Sequence, residues 1–141
     1  MNLLEIAKKY NKDKHGPFEK YFEKMNTKLN KNILSELNFG AKELNNMLTK
    51  LKKYKYVEEV DNLKYGSFIR WINLEDSDNL SLHNSCMICE IKFTDNGIII
   101  LCKNFMHRYQ SVKLDECLIF QKITDEERNM MELVGELNVS I

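Results

Sequence analysis

Residues 87–105 read Met-Ile-Cys-Glu-Ile-Lys-Phe-Thr-Asp-Asn-Gly-Ile-Ile-Ile-Leu-Cys-Lys-Asn-Phe, and this stretch decides the fold class. Met87, Cys89, Ile91 and Phe93 alternate with Ile88, Glu90, Lys92 and Thr94, the period of two that marks a half-buried strand. Asn96-Gly97 offers two residues that tolerate positive φ, as the type I′ turn of a two-residue hairpin requires. The register that follows from such a turn sets Glu90 opposite Lys103 and Phe93 opposite Ile100. A charge pair then lies outside and an apolar pair inside.

Working outward, Ser67 to Leu74 is a second β-rich run, and Glu75 to Asn84, with its acids, Ser and Asn, reads as a loop. After the hairpin come a turn around His107 to Gln110 and strands near Ser111 to Leu114 and Glu116 to Ile123. Five short strands with tight connections predict a small antiparallel β-barrel of the SH3 or Sm type. Thr124-Asp125-Glu126-Glu127 is a capping box. It opens a terminal helix with the apolar stripe Met130, Leu133, Val134 and Leu137, expected to close one end of the barrel.

Upstream, Phe18, Tyr21, Phe22, Met25, Leu29, Ile33 and Leu37 recur at three- and four-residue intervals behind Pro17, the pattern of an amphipathic helix. Gly40 breaks it, and Leu44, Met47, Leu48 and Leu51 mark a second helix from Ala41 to about Tyr54. The pair predicts a helical hairpin. A winged helix is the alternative, with Ala41 to Tyr56 as recognition helix and the segment from Val57 to Ile72 beginning the wing. The expected class is therefore α+β, with a helical segment over residues 1–64 and a small barrel with its capping helix over 65–141.

The net charge is zero but unevenly spread: residues 1–65 hold 14 Lys against 9 acids, and residues 66–141 hold 7 Lys plus Arg against 12. Such asymmetry suits a basic surface for nucleic acid, or attraction between the two halves or between copies. At 141 residues the chain is too short for two full enzyme domains. The longest apolar run, Ile98 to Cys102, is far too short to span a membrane, and the first residues lack the form of a secretory signal. Four cysteines without an export signal are expected to be reduced thiols in a cytoplasmic setting. Eighteen Lys against three Arg, with sixteen Asn, suggest an AT-rich coding genome.

Candidate chemistry is sparse. Cys86 and Cys89 have C-x-x-C spacing, with His83, His107, Cys102 and Cys117 nearby in sequence. Strand positions three apart point to opposite faces, however, so buried thiols are expected rather than a metal site, with Cys89 and Cys102 sharing the apolar face. His15, His83 and His107 lie in unrelated segments, and neither a nucleophile elbow nor a phosphate-binding glycine loop occurs. The expectation is a non-enzyme with no cofactor. What remains is a mixture of cations and rings able to neutralise phosphates and stack bases. The candidates are Lys50, Lys52, Lys53 and Lys55 near the second helix, and Arg70, Lys103, Arg108 and Tyr109 in the β-rich half.

Residues 65–123, through Tyr65 to Leu74, Phe93 to Phe105 and Asp115 to Asp125, resemble a group of uncharacterised proteins of nucleocytoplasmic large DNA viruses. That resemblance implies a viral source and a place in the host-cell cytoplasm or the virion, and no catalytic residues. Residues Ile6 to Gly16 with Tyr21-Phe22-Glu23 are similar to the leading segment of some S-adenosylmethionine-dependent methyltransferases, but no glycine-rich βα turn follows. The expectation is a non-catalytic viral accessory module that binds nucleic acid. The alternative is an adaptor or minor virion component that associates with a protein partner, or with a second copy, through a coiled coil of its N-terminal helices.

Overall fold

A computed structural model describes residues 17–76, 78–130 and 133 of the chain. Its elements are α1 (Pro17–Leu34), α2 (Ala41–Lys50), β1 (Tyr54–Val57), β2 (Phe68–Asn73), β3 (Cys86–Thr94), β4 (Gly97–Lys103), β5 (Tyr109–Lys113), β6 (Cys117–Lys122) and a final helix, α3, over 125–130. Two compact units result. One comprises the described residues up to Lys53 and from Ile123 onward; the other is Tyr54–Lys122, so the compositional change near Tyr65 falls inside the second.

In the first unit, α1 begins at Pro17, whose missing N–H costs nothing in a first turn. The chain turns at Asn38, in the left-handed region at φ 57°, before Gly40 accepts the first bond of α2 from Leu44 N–H at 2.9 Å. The face that α1 buries differs from the expected apolar stripe. Met25 and Leu29 are 45% and 57% exposed, whereas Asn26, Asn30 and Leu34 are buried. The reason is an electrostatic need. The carbonyls at the end of a helix have no partner within it, and here Asn26 Nδ2 donates to Leu51 O and Lys52 O, at 3.3 and 3.1 Å, while Asn30 Nδ2 donates to Leu51 O at 3.3 Å. α2 therefore stops at Lys50, not near Tyr54, and the next residues enter β1. A recognition helix reaching Tyr56 is excluded by this break.

Thr124 caps α3 as its sequence predicts, with Glu127 N–H donating to Thr124 Oγ1 at 3.1 Å. Leu133 is buried; Val134 and Leu137 of the expected stripe, like the methyltransferase-like segment Ile6 to Gly16, lie outside the described residues.

The second unit is one antiparallel sheet in the order β1-β6-β2-β3-β4-β5. The expected SH3- or Sm-like barrel is corrected by this topology: β1 and β5 stand at opposite edges and do not pair, so the sheet is open. Closure demands a continuous stagger of paired strands all the way around, whereas β2 and β3 pair through just Phe68–Met87 and Ile69–Cys86. The core contains Val57, Leu63, Ile69, Trp71, Cys86, Ile88, Ile100, Cys102, Val112 and Ile119. Gln121, also buried, ties the β1–β2 connection to β6, accepting from Lys64 N–H at 2.8 Å and donating to Asn62 O at 2.9 Å.

The hairpin forms, but its register differs from the expected one by two residues. Thr94 pairs with Gly97 and Phe93 with Ile98, placing Asp95-Asn96 at the tip. Gly97 alone carries a positive φ, 112°, so the turn uses one such residue where a type I′ turn needs two. A β-bulge at Cys89, between Ile88 and Glu90, then exchanges the faces along β3. Cys86 and Ile88 point to the core before it and Ile91 packs against the core after it, while Phe93 at the strand's end is 73% exposed.

Candidate nucleic-acid interface

The bulge decides what the face of the sheet away from this core displays at the level of Phe68; farther along the same face Ile72 and Phe120 are buried. With Cys86 and Ile88 turned inward, Met87 faces outward, and the register sets it between Phe68 on β2 and Lys103 on β4. Lys103 in turn lies opposite Tyr109 on β5. On the other side, Lys122 of β6 lies opposite Tyr54 of β1 and reaches over the Phe68 ring. One row therefore crosses all six strands: Tyr54, Lys122, Phe68, Met87, Lys103, Tyr109. Lys103 Nζ is 5.5 Å from the centre of the Tyr109 ring, and Lys122 Nζ is 5.8 Å from that of Phe68. Ammonium groups at that range are attracted to the ring face by about 0.5–1 kcal/mol when exposed. No carboxylate belongs to the row. Glu90, expected opposite Lys103, lies opposite Leu101 and pairs with Lys92 at 4.0 Å.

The β4–β5 turn extends this row at its Tyr109 end. Asn104 Oδ1 accepts from both Met106 N–H and Arg108 N–H, at 2.9 and 3.0 Å, and Asn104 N–H donates to Arg108 O at 2.9 Å. His107 takes φ 62°, so the turn closes tightly. The side chains so displayed are Phe105, 83% exposed, with Met106, Arg108 and Tyr109, all exposed.

Of the sequence-predicted residues, Lys103, Arg108 and Tyr109 come together here. Arg70 lies on the same face of β2, two residues from Phe68, half-buried, with a buried Nε that has no hydrogen-bond partner. Lys55, half-buried on β1, has Gln121 as its register partner and points to the other face. Lys50, Lys52 and Lys53 are exposed at the end of α2 in the first unit. There Lys52 joins Lys24, Lys28 and Lys31 of α1 around a shallow groove with Glu23 and Thr27. Lys24, Lys28, Lys31, Tyr54, Phe68, Met87 and Lys122 were not among the residues expected from the sequence. The signal for the α1 lysines was their recurrence at three- and four-residue intervals; for the row there was none, since it exists only through pairing among distant strands.

The thiols sit otherwise than the sequence suggested. Cys86 and Cys102, rather than Cys89 and Cys102, share the core, each near Gln110: Cys86 Sγ is 3.6 Å from its Oε1 and Cys102 Sγ 3.5 Å from its backbone oxygen. Burial, reinforced by the neighbouring Cys86, pushes Cys102 up to about 12, and burial beside Glu116 pushes Cys117 up to about 11. Such thiols are poor nucleophiles and poor metal ligands at neutral pH. Among the described residues no three His, Cys, Asp or Glu side chains converge on a point that could hold a metal ion, and no helix is long and apolar enough to cross a membrane.

No family model matches the chain, and no curated protein or solved structure matches it either.

Proposed function

We propose that this protein is a non-catalytic nucleic-acid-binding accessory module, of viral source as its resemblance implies. The observation that carries the reading is the groove of the first unit, where Lys24, Lys28, Lys31 and Lys52 surround one carboxylate, Glu23. Four ammonium groups on one surface can neutralise phosphates and so release the cations condensed on a nucleic acid, which is the usual source of sequence-independent affinity. The cation–ring pairs of the sheet supply a second kind of interaction, with the faces of bases.

Replacing Lys24, Lys28, Lys31 and Lys52 together by Gln tests this reading. Affinity for nucleic acid should fall, and the slope of log K against log salt should flatten by about 0.7–0.9 for each phosphate that is no longer neutralised. Unchanged affinity and slope would leave these lysines as ordinary solvated surface.

A second reading is favoured by Met25 and Leu29, apolar side chains exposed on α1. It is an adaptor that covers this stripe with a protein partner or with a second copy of the chain. Concentration-dependent mass in sedimentation, abolished by Leu29→Asp, is its signature; a strict monomer at high concentration would exclude the homotypic form.

A further inference from the structure

The row across the six strands has a chemistry of its own, and we infer that it is a binding track for single-stranded nucleic acid, which lies across the strands from Tyr54 toward Tyr109. This deepens the proposed function by naming the form of ligand, and it rests on that reading.

Three features of the row select a single strand. Its rings are presented on an outward face, Phe68 and Tyr109 being exposed, and ring faces are of use to a base whose own face is open. In a duplex the bases are stacked on one another and offer only edges and phosphates, whereas every unpaired base has a free π-face. Each ring also carries a cation over one of its faces, Lys122 over Phe68 and Lys103 over Tyr109. A backbone passing along the row therefore meets a positive charge beside each stacking position. Length also fits. Neighbouring strands are about 4.8 Å apart, so five intervals give about 24 Å of contour, room for on the order of four nucleotides, the low end of the range for single-strand sites.

The Tyr109 end is the better prepared one. The Asn104-centred turn is held by its own backbone and side-chain hydrogen bonds, so Phe105 and Arg108 are displayed by an ordered backbone before any ligand arrives. A preformed site loses less conformational freedom on binding.

The test compares the full chain with two variants, using labelled oligothymidylate and a DNA duplex of equal length at the same salt. Phe68→Ser with Tyr109→Ser should lower affinity for oligothymidylate about tenfold or more while leaving the salt slope unchanged, because no cation is removed. Phe93→Ser removes a still more exposed ring from the opposite face and should change nothing. Native protein should bind oligothymidylate at least tenfold more tightly than duplex. If the duplex binds as well as the single strand, or if the double variant binds like the native protein or like Phe93→Ser, the track is wrong while the wider nucleic-acid reading stands. Absence of binding to either ligand at low salt would overturn both.

Discussion

The side-chain amide of Asn26, in the middle of α1, donates to the carbonyl of Lys52, 3.1 Å away beyond the end of α2. It also reaches Leu51 O, so one polar side chain closes off the unsatisfied end of a neighbouring helix. Asn26→Ala would leave buried carbonyls without this donor and should destabilise the helical unit by about 1–3 kcal/mol. Met25→Ser, on the exposed side of the same turn, should fall within about 0.5 kcal/mol of native. Urea unfolding followed by far-ultraviolet circular dichroism separates the two. Equal effects would contradict the assignment of the asparagine face as the buried one.

Gly97 makes a comparable prediction for the sheet. Its φ of 112° disfavours any side chain, and an added Cβ would come within 2.7 Å of Asp115 Oδ2. Gly97→Ala should cost about 1–3 kcal/mol. Because the opposing atom is the end of a movable carboxylate, adding Asp115→Ser should recover little of that cost. Full recovery would show that the clash dominates and that the backbone conformation costs nothing.

His83 stacks on Trp71 with ring centres 4.8 Å apart and planes 7° from parallel. Burial lowers its pKa from the ordinary 6.5, since a less solvated imidazole resists protonation. The folded state thus favours neutral His83, and its stability contribution is full above pH 6.5 and is lost as pH falls through the depressed folded value. Trp71 is the chain's single tryptophan, so its fluorescence reports this titration directly. The expected midpoint lies below 6.5 and vanishes in His83→Gln; a midpoint above 6.5 would contradict the stacking account.

The thiols have the opposite linkage. Cys102 is raised from 9.0 to about 12 and Cys117 to about 11, so the unfolded chain releases these protons at lower pH than the folded one. Stability should therefore be intact below pH 9 and decline between pH 9 and about 11–12. Cys102→Ala and Cys117→Ala together should reduce that decline. An alkaline profile identical to native would place its origin elsewhere.

How much of this was legible in the sequence differs between elements. The alternation of residues 87–94 and Asn96-Gly97 identify the hairpin, but the same residues fit a turn with one positive φ or with two. That choice moves the register by two and parts Glu90 from Lys103. The bulge at Cys89 leaves no local signal, yet it turns Met87 outward and makes the row possible. In α1, apolar spacing indicated the helix but not its buried face, because unsatisfied carbonyls of another helix outweighed the burial of Met25 and Leu29. β1 was hidden behind the lysine run, although Tyr54-Lys55-Tyr56-Val57 has the ring and β-branched content of a strand. Lys103, Arg108 and Tyr109 could be read because they are neighbours in sequence; Phe68 and Lys122 belong with them through register alone.

The proposed binding of nucleic acid draws on charge and ring faces together. Its most direct test is a fluorescence-anisotropy titration of labelled oligothymidylate with the full chain at low and at physiological salt. Binding should be saturable and weaken as salt rises, with a residual affinity at the higher salt supplied by the rings. No binding at low salt would contradict it.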